Sequence, residues 1–244
     1  MSINVDAYFK EVDQMPWGKL FYDLLWQQLN ELTKETRQPL HILDFGAGFG
    51  KTADYLANLG HQVVAYEPNQ EMQNYRYHST NYTYLTNDFE ANIAGKAFDV
   101  ILLHNVLEYV ENRSELLNQL WTLLKTGGTL SLVKHNSRGR VLVNAVLRDD
   151  PKQALLEYQG QAGYSINFGT VNDYSNDWLL KWVTNNSATV TADYGIRTFY
   201  GLSQNSEIKF SKKWQEDMLA LEKSCDNDPI FKEIAMFRHF MLQK

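Results

Sequence analysis

Apolar residues recur at a helical period through the opening stretch, where Leu20, Leu24, Leu25, Leu29 and Leu32 fall on one stripe, and Pro39 ends that element. Beyond it, short apolar runs alternate with amphipathic stretches. Leu40–Phe45, Gln62–Tyr66, Tyr82–Thr86, Phe98–Leu103 and Thr129–Lys134 read as strands, and 50–59, 69–78, 105–111 and 113–125 as helices. Strand, helix, strand at this spacing predicts an α/β fold, a doubly wound and mostly parallel sheet with helices on both faces. After Asn136 the rhythm loosens. The pattern predicts one or two helices over Leu142–Tyr158 around Pro151, a turn-rich mobile loop over Gly160–Asn172, and a helix over Asp173–Val183. A strand over Thr189–Tyr200, an amphipathic helix over Phe210–Ser224 and a closing strand over Ala235–Leu242 complete the chain.

Composition narrows the class. The 244 residues are 44% hydrophobic and 21% charged, which suits one globular domain with at most a small appendage. No apolar run approaches the roughly 18 residues of a membrane-spanning helix. The opening Met1-Ser2-Ile3-Asn4-Val5-Asp6 has neither a basic nor an apolar export region, so a cytoplasmic protein without a membrane partner is expected. The single cysteine, Cys225, forbids an internal disulfide and a thiolate metal cluster, and no metal is expected. A net charge of −6 weighs mildly against a large polyanionic partner. A basic stretch nevertheless exists at Lys134, Arg138, Arg140 and Arg148, readable as an RNA-facing or simply a solvated helix face.

The candidate chemistry sits in His41-Ile42-Leu43-Asp44-Phe45-Gly46-Ala47-Gly48-Phe49-Gly50, an apolar strand running into alternating glycines and then a helix start at Lys51-Thr52-Ala53. Such glycines let a ligand approach bare amides at a helix N-terminus, at the carboxyl end of a parallel strand. A phosphate loop ending in Gly50-Lys51-Thr52 is one residue short, because Phe45 stands where its first glycine belongs. A dinucleotide turn needs a third small residue where Lys51 stands. The second strand ends in Glu67, whose carboxylate can accept both hydroxyls of a ribose. Thr86-Asn87-Asp88-Phe89 follows the third strand, Asp99 opens the fourth, His104-Asn105 ends it, and Gly127-Gly128 leads into the fifth. Asp44, Asp88 and Asp99 also read as turn or helix caps, and His104 as a buried histidine.

These segments, in this order, resemble the motifs of class I S-adenosylmethionine-dependent methyltransferases. The resemblance implies a Rossmann-like methyltransferase fold with S-adenosylmethionine as cofactor. It assigns cofactor contacts to Asp44, Gly46, Ala47, Gly48, Glu67, Asn87, Asp88 and His104. The expected organisation is an N-terminal helical segment over 1–38, a cofactor-binding core over 39–136, and a substrate-side elaboration over 137–244 that completes the same sheet.

His104-Asn105-Val106-Leu107-Glu108-Tyr109-Val110, Leu130-Ser131-Leu132-Val133-Lys134-His135-Asn136 and Gly195-Ile196-Arg197-Thr198-Phe199 are similar to the bacterial tRNA 5-carboxymethoxyuridine methyltransferases, as are Gly18-Lys19-Leu20 and Leu25-Trp26-Gln27-Gln28-Leu29. That similarity implies O-methylation of a carboxylate on a modified tRNA wobble uridine. An arginine of that family in the first helix is replaced here by Phe21. A carboxylate is already anionic and needs no general base, so no catalytic residue is assigned. Arg197 is the candidate for gripping the acceptor, as a guanidinium can hold a carboxylate or phosphate bidentately; His135 and Asn136 are further candidates. Two other readings stand beside it, methylation of a small acidic metabolite and a non-catalytic S-adenosylmethionine-binding protein.

Overall fold

The computed structural model describes residues 4–34, 36, 38–77, 81–161, 163–165 and 169–244; the three residues that open the chain, on which the export reading partly rests, lie outside them. The opening helical stretch forms two helices rather than one, α1 (Val5–Gln14) and α2 (Pro16–Thr33), and the leucine stripe lies wholly in α2. Proline lacks an amide hydrogen and so suits the first turn of α2, where no partner carbonyl exists. Asn4 caps α1 by accepting the Ala7 amide at 3.0 Å. The corner between the helices is tight: a Cβ on Gly18 would lie 2.3 Å from the Val12 carbonyl oxygen. Leu20, Leu24, Leu25 and Leu29 are fully buried, as their spacing predicts.

The alternating region follows as β1 (His41–Phe45), α3 (Lys51–Asn58), β2 (Gln62–Tyr66), β3 (Tyr82–Leu85), α4 (Phe89–Ile93), β4 (Phe98–His104), α5 (Arg113–Leu123) and β5 (Leu124–His135). Two expected helices shrink to short 3-10 segments. Gln70–Tyr75 replaces 69–78, of which position 78 lies outside the described residues; its only buried side chain is Met72, too little apolar surface to hold a longer helix. Leu107–Tyr109 replaces 105–111, because Asn105 is left-handed (φ 55°) and cannot start one. The strand order is β3-β2-β1-β4-β5-β9-β8, with β8 (Thr189–Ile196) and β9 (Phe237–Gln243) extending the sheet beyond β5. β1 pairs in parallel with both β2 and β4, and β2 with β3, so their carboxyl ends share one edge.

Between β5 and β9 the chain forms α6 (Ser137–Leu142), a π turn at Val143–Leu147, α7 (Pro151–Tyr158), α8 (Asn176–Asn185), α9 (Lys212–Cys225) and α10 (Phe231–Ile234). The loop expected over Gly160–Asn172 contains an antiparallel pair, β6 (Gly163–Ser165) with β7 (Gly169–Val171); its positions 162 and 166–168 lie outside the described residues. The chain divides into two compact units. One holds Leu29–Leu132, Ser175–Ala192 and Phe240–Lys244; the other holds the stretch up to Gln28, Val133–Tyr174 and Asp193–His239.

Candidate functional site

In the first unit, the turn after β1 is pinned to the end of β2. The Gly46 and Ala47 amides both donate to the Tyr66 carbonyl, at 2.8 and 3.0 Å. Gly46 is required twice over: its φ is +75°, and a Cβ there would meet Val106 Cγ2 at 2.4 Å. Gly48, at φ +55°, differs, since a Cβ on it would find nothing nearer than Met72 Sδ at 4.0 Å. One glycine serves packing and the other leaves a bare stretch of backbone.

Glu67 closes this turn. Its Oε2 accepts the Gly48 amide at 3.0 Å and its Oε1 accepts the Asn69 amide at 2.9 Å, leaving lone pairs on both oxygens. Burial raises its pKa, partly offset by those two amides. Asp44, 4% exposed, is pushed up to about 7 by burial and by the neighbouring Glu67 charge, against a hydrogen bond from the Ala53 backbone. That bond caps α3, whose N-cap Gly50 has no side chain to do so. Asp44 therefore fulfils the bland capping role and also leaves a strained negative pair beside Gly48. Tyr82 and Tyr84 are raised by burial as well, Tyr82 to about 12, and the Tyr84 hydroxyl donates to the Gly48 carbonyl.

Three rings border the same edge: Phe45, Tyr66 and Phe89 have centroids 4.6–5.1 Å apart, a half-buried patch of tilted and edge-on rings that no sequence pattern marked. Asn87 and Asp88 stand exposed after β3. Asp88 is at the N-cap position of α4 with φ 49°, and its side chain makes no capping bond. His104 Nε2 lies 2.8 Å from Ser131 Oγ, and burial lowers the ring to about 3, so it is neutral. Next to it the amide oxygen of Asn105 is buried without a hydrogen-bond partner among the described residues, a feature that sequence reasoning passed over. The turn thus gathers Asp44, Gly46, Ala47, Gly48 and Glu67, with Asn87, Asp88 and His104 on neighbouring strand ends. Two crowded carboxylates favour a cationic ligand, bare backbone allows close approach, and a ring patch suits a flat heterocycle. S-adenosylmethionine, with an amine, a sulfonium, a ribose and an adenine, fits those features.

The second unit holds the other candidates. Arg197 has φ 62°, and its guanidinium carbon lies 5.2 Å from the Trp17 ring, 5.3 Å from Tyr200 and 5.9 Å from Phe237. Its Nε is buried without a hydrogen-bond partner, and it makes no ion pair, among the described residues. Burial lowers its pKa below the ordinary guanidinium range. His135 ends β5 with its ring 4.9 Å from that of Phe237, and is lowered to about 3 by burial and by Arg140, Lys134 and Arg197. Asn136 is spent on structure: its amide nitrogen donates to the Glu233 and Ala235 carbonyls at 2.9 and 2.8 Å. Phe21, where the resemblance implied an arginine, is a core residue packed edge-on against Phe237 at 5.1 Å.

The basic stretch is not one solvated face. Arg140 is buried and paired with Glu157 at 2.8 Å and Asp173 at 3.4 Å, while Lys134 is buried against the Tyr174 ring at 4.6 Å. Among the described residues no cluster of histidine, cysteine or acids could hold a metal ion, and no helix is long and apolar enough to cross a membrane.

Residues 43–132 match the methyltransferase-domain family. The tRNA 5-carboxymethoxyuridine methyltransferase of Escherichia coli K12 is 32% identical over 226 residues, covering 87% of this chain and 84% of that protein. Among solved structures, the plantazolicin methyltransferase BpumL in complex with SAH superposes with a TM-score of 0.59 at 16% identity, over 98% of this chain and 88% of that one. An S-adenosylmethionine-dependent methyltransferase from Archaeoglobus fulgidus gives 0.57 at 12% identity, over 99% and 100%. At such identities the structural likeness is one of fold.

Proposed function

We propose an acceptor for this enzyme from the premise that the chain belongs to the S-adenosylmethionine-dependent methyltransferases, in the family of the tRNA 5-carboxymethoxyuridine methyltransferases. The acceptor is the carboxylate of a modified wobble uridine in tRNA, and the product is its methyl ester. One observation carries this reading: the relative with that activity aligns along 87% of the chain, so the similarity reaches well outside the methyltransferase domain. The reading makes the enzyme cytoplasmic, where tRNA is modified.

S-adenosylmethionine supplies a methyl group already activated by a positive sulfur. The carboxylate oxygen forms the new O–CH₃ bond as the S–CH₃ bond breaks, the electron pair stays on sulfur, and no proton moves. The protein then has to hold, align and exclude water. Glu67 takes the ribose hydroxyls on the lone pairs its two amide contacts leave. Asp44 and the Gly46–Gly48 turn hold the charged methionine end, and the Phe45, Tyr66 and Phe89 rings border the adenine, with Asn87 and Asp88 reading its polar edge. His104 and His135 are both lowered to about 3 and stay neutral, which suits a reaction that needs no base. Arg197 grips the acceptor carboxylate.

Mass spectrometry of tRNA nucleosides from cells with and without this gene tests the acceptor. Loss of one uridine methyl ester, with its free acid accumulating, is expected; an unchanged nucleoside profile overturns it. Burial of Lys134 and Arg140 favours a second reading, a small acidic metabolite, because it removes half of the basic stretch that could face RNA.

A further inference from the structure

The 3-10 turn Ile208–Phe210 in the second unit is inside out. Ile208 and Phe210 are 40% and 65% exposed, whereas Lys209 between them is only 7% exposed. Solvation would choose the reverse, since lysine is among the residues least often buried without a partner. The turn is held this way by the Phe210 and Ser211 amides, which donate to Glu207 and Ile208, and by the Gln215 side chain on the Lys209 carbonyl at 2.6 Å. Lys209 Nζ lies 4.9 Å from the centroid of the Tyr200 ring, the ring that Arg197 approaches at 5.3 Å. Two cations thus share one aromatic ring. Neither makes an ion pair among the described residues.

The acid whose charge reaches Arg197 does not relieve them. Glu222 acts on Arg197 only at a distance, and its two oxygens already accept the Thr198, Phe199 and Tyr200 amides at 2.7–2.9 Å. Burial and the Arg197 charge both lower the pKa of Lys209, a like-charge repulsion that the described residues leave standing. An oxyanion is the ligand that would settle both charges at once.

We infer that Lys209 and Arg197 together form a single oxyanion site around Tyr200, in which the lysine is a second, directly contacting ligand for the acceptor's carboxylate. The inference rests on the carboxylate acceptor proposed above. The shared chemistry is an oxyanion, and a backbone phosphate of RNA is its other source.

Calorimetry in the presence of S-adenosylhomocysteine separates these sources, with three probes: 5-carboxymethoxyuridine, its methyl ester and uridine 5′-monophosphate. The acid should bind about tenfold or more tighter than the neutral ester and the phosphate. In Lys209→Met that preference should collapse, Lys209→Arg should retain it, and S-adenosylhomocysteine affinity should not change in either. A merely structural lysine would weaken acid and ester alike. The inference is overturned if the acid fails to bind, if Lys209→Met keeps the acid–ester ratio, or if the monophosphate matches the acid. Were cellular tRNA to keep its ester without this gene while the preference and its loss in Lys209→Met held, the tRNA assignment would fall and the paired-cation site would stand.

Discussion

Asp44 shows how one residue couples fold and ligand. Its carboxyl rises from 3.8 to about 7 on folding, so between those values the native state binds more protons than the unfolded chain. Stability of the ligand-free protein should therefore fall as pH climbs from about 4 to about 7 and level off above, and Asp44→Asn should flatten that fall in urea titrations at pH 5 and pH 8. Cofactor binding should run the opposite way. A cationic ligand needs the ionised carboxylate, so affinity for S-adenosylmethionine should improve by up to about tenfold per pH unit below 7 and then plateau. Calorimetry across pH 5.5–8.5 checks this, and Asp44→Asn should bind weakly with no such slope. The acids and glycines of this turn were legible in the sequence because each closes a strand whose apolar run announces it. The Phe45, Tyr66 and Phe89 patch was not, since its rings come from two strand ends and the start of α4.

At the scale of elements, β1 to β4 were legible within a residue or two where a short apolar run ended in a turn residue, as at Gln62–Tyr66, whereas β5 begins at Leu124, five residues ahead of the expected Thr129. The misses have local causes. Polar Gln70–Tyr75 buries only Met72, Asn105 adopts a backbone that no helix accepts, and the leucine stripe, which begins at Leu20, carries no signal for the break before Pro16. That break can be tested. Gly18→Ala would drive a methyl into the Val12 and Glu11 carbonyls, at 2.3 and 2.8 Å, which are backbone and cannot swing aside. We expect a loss of about 2–3 kcal/mol in chemical denaturation, against about 1 kcal/mol gained had the site been an ordinary exposed helix position. The Arg197 surroundings were illegible for a different reason: Trp17, Tyr200 and Phe237 come from opposite ends of the chain, and no periodicity links them.

For the molecule as a whole, the charge of −6 and the burial of Lys134 and Arg140 set a measurable expectation for nucleic-acid binding. Phosphate contacts make binding fall steeply with salt, by about fortyfold from about 50 to about 200 mM if three phosphates are held. The tRNA reading predicts a KM for tRNA that climbs on that order, with a cofactor KM nearly flat; a flat acceptor KM would favour the small-metabolite reading. Glu222 has a further bearing on how the protein breathes. Because one carboxylate on α9 collects three consecutive amides beyond Arg197, those amides are sheltered only while the helix stays docked, and deuterium should enter all three together with the last turns of α9. Arginine geometry and helix docking then melt as one cooperative step, and a partner that tugs on α9 would switch off acceptor recognition without touching the pocket.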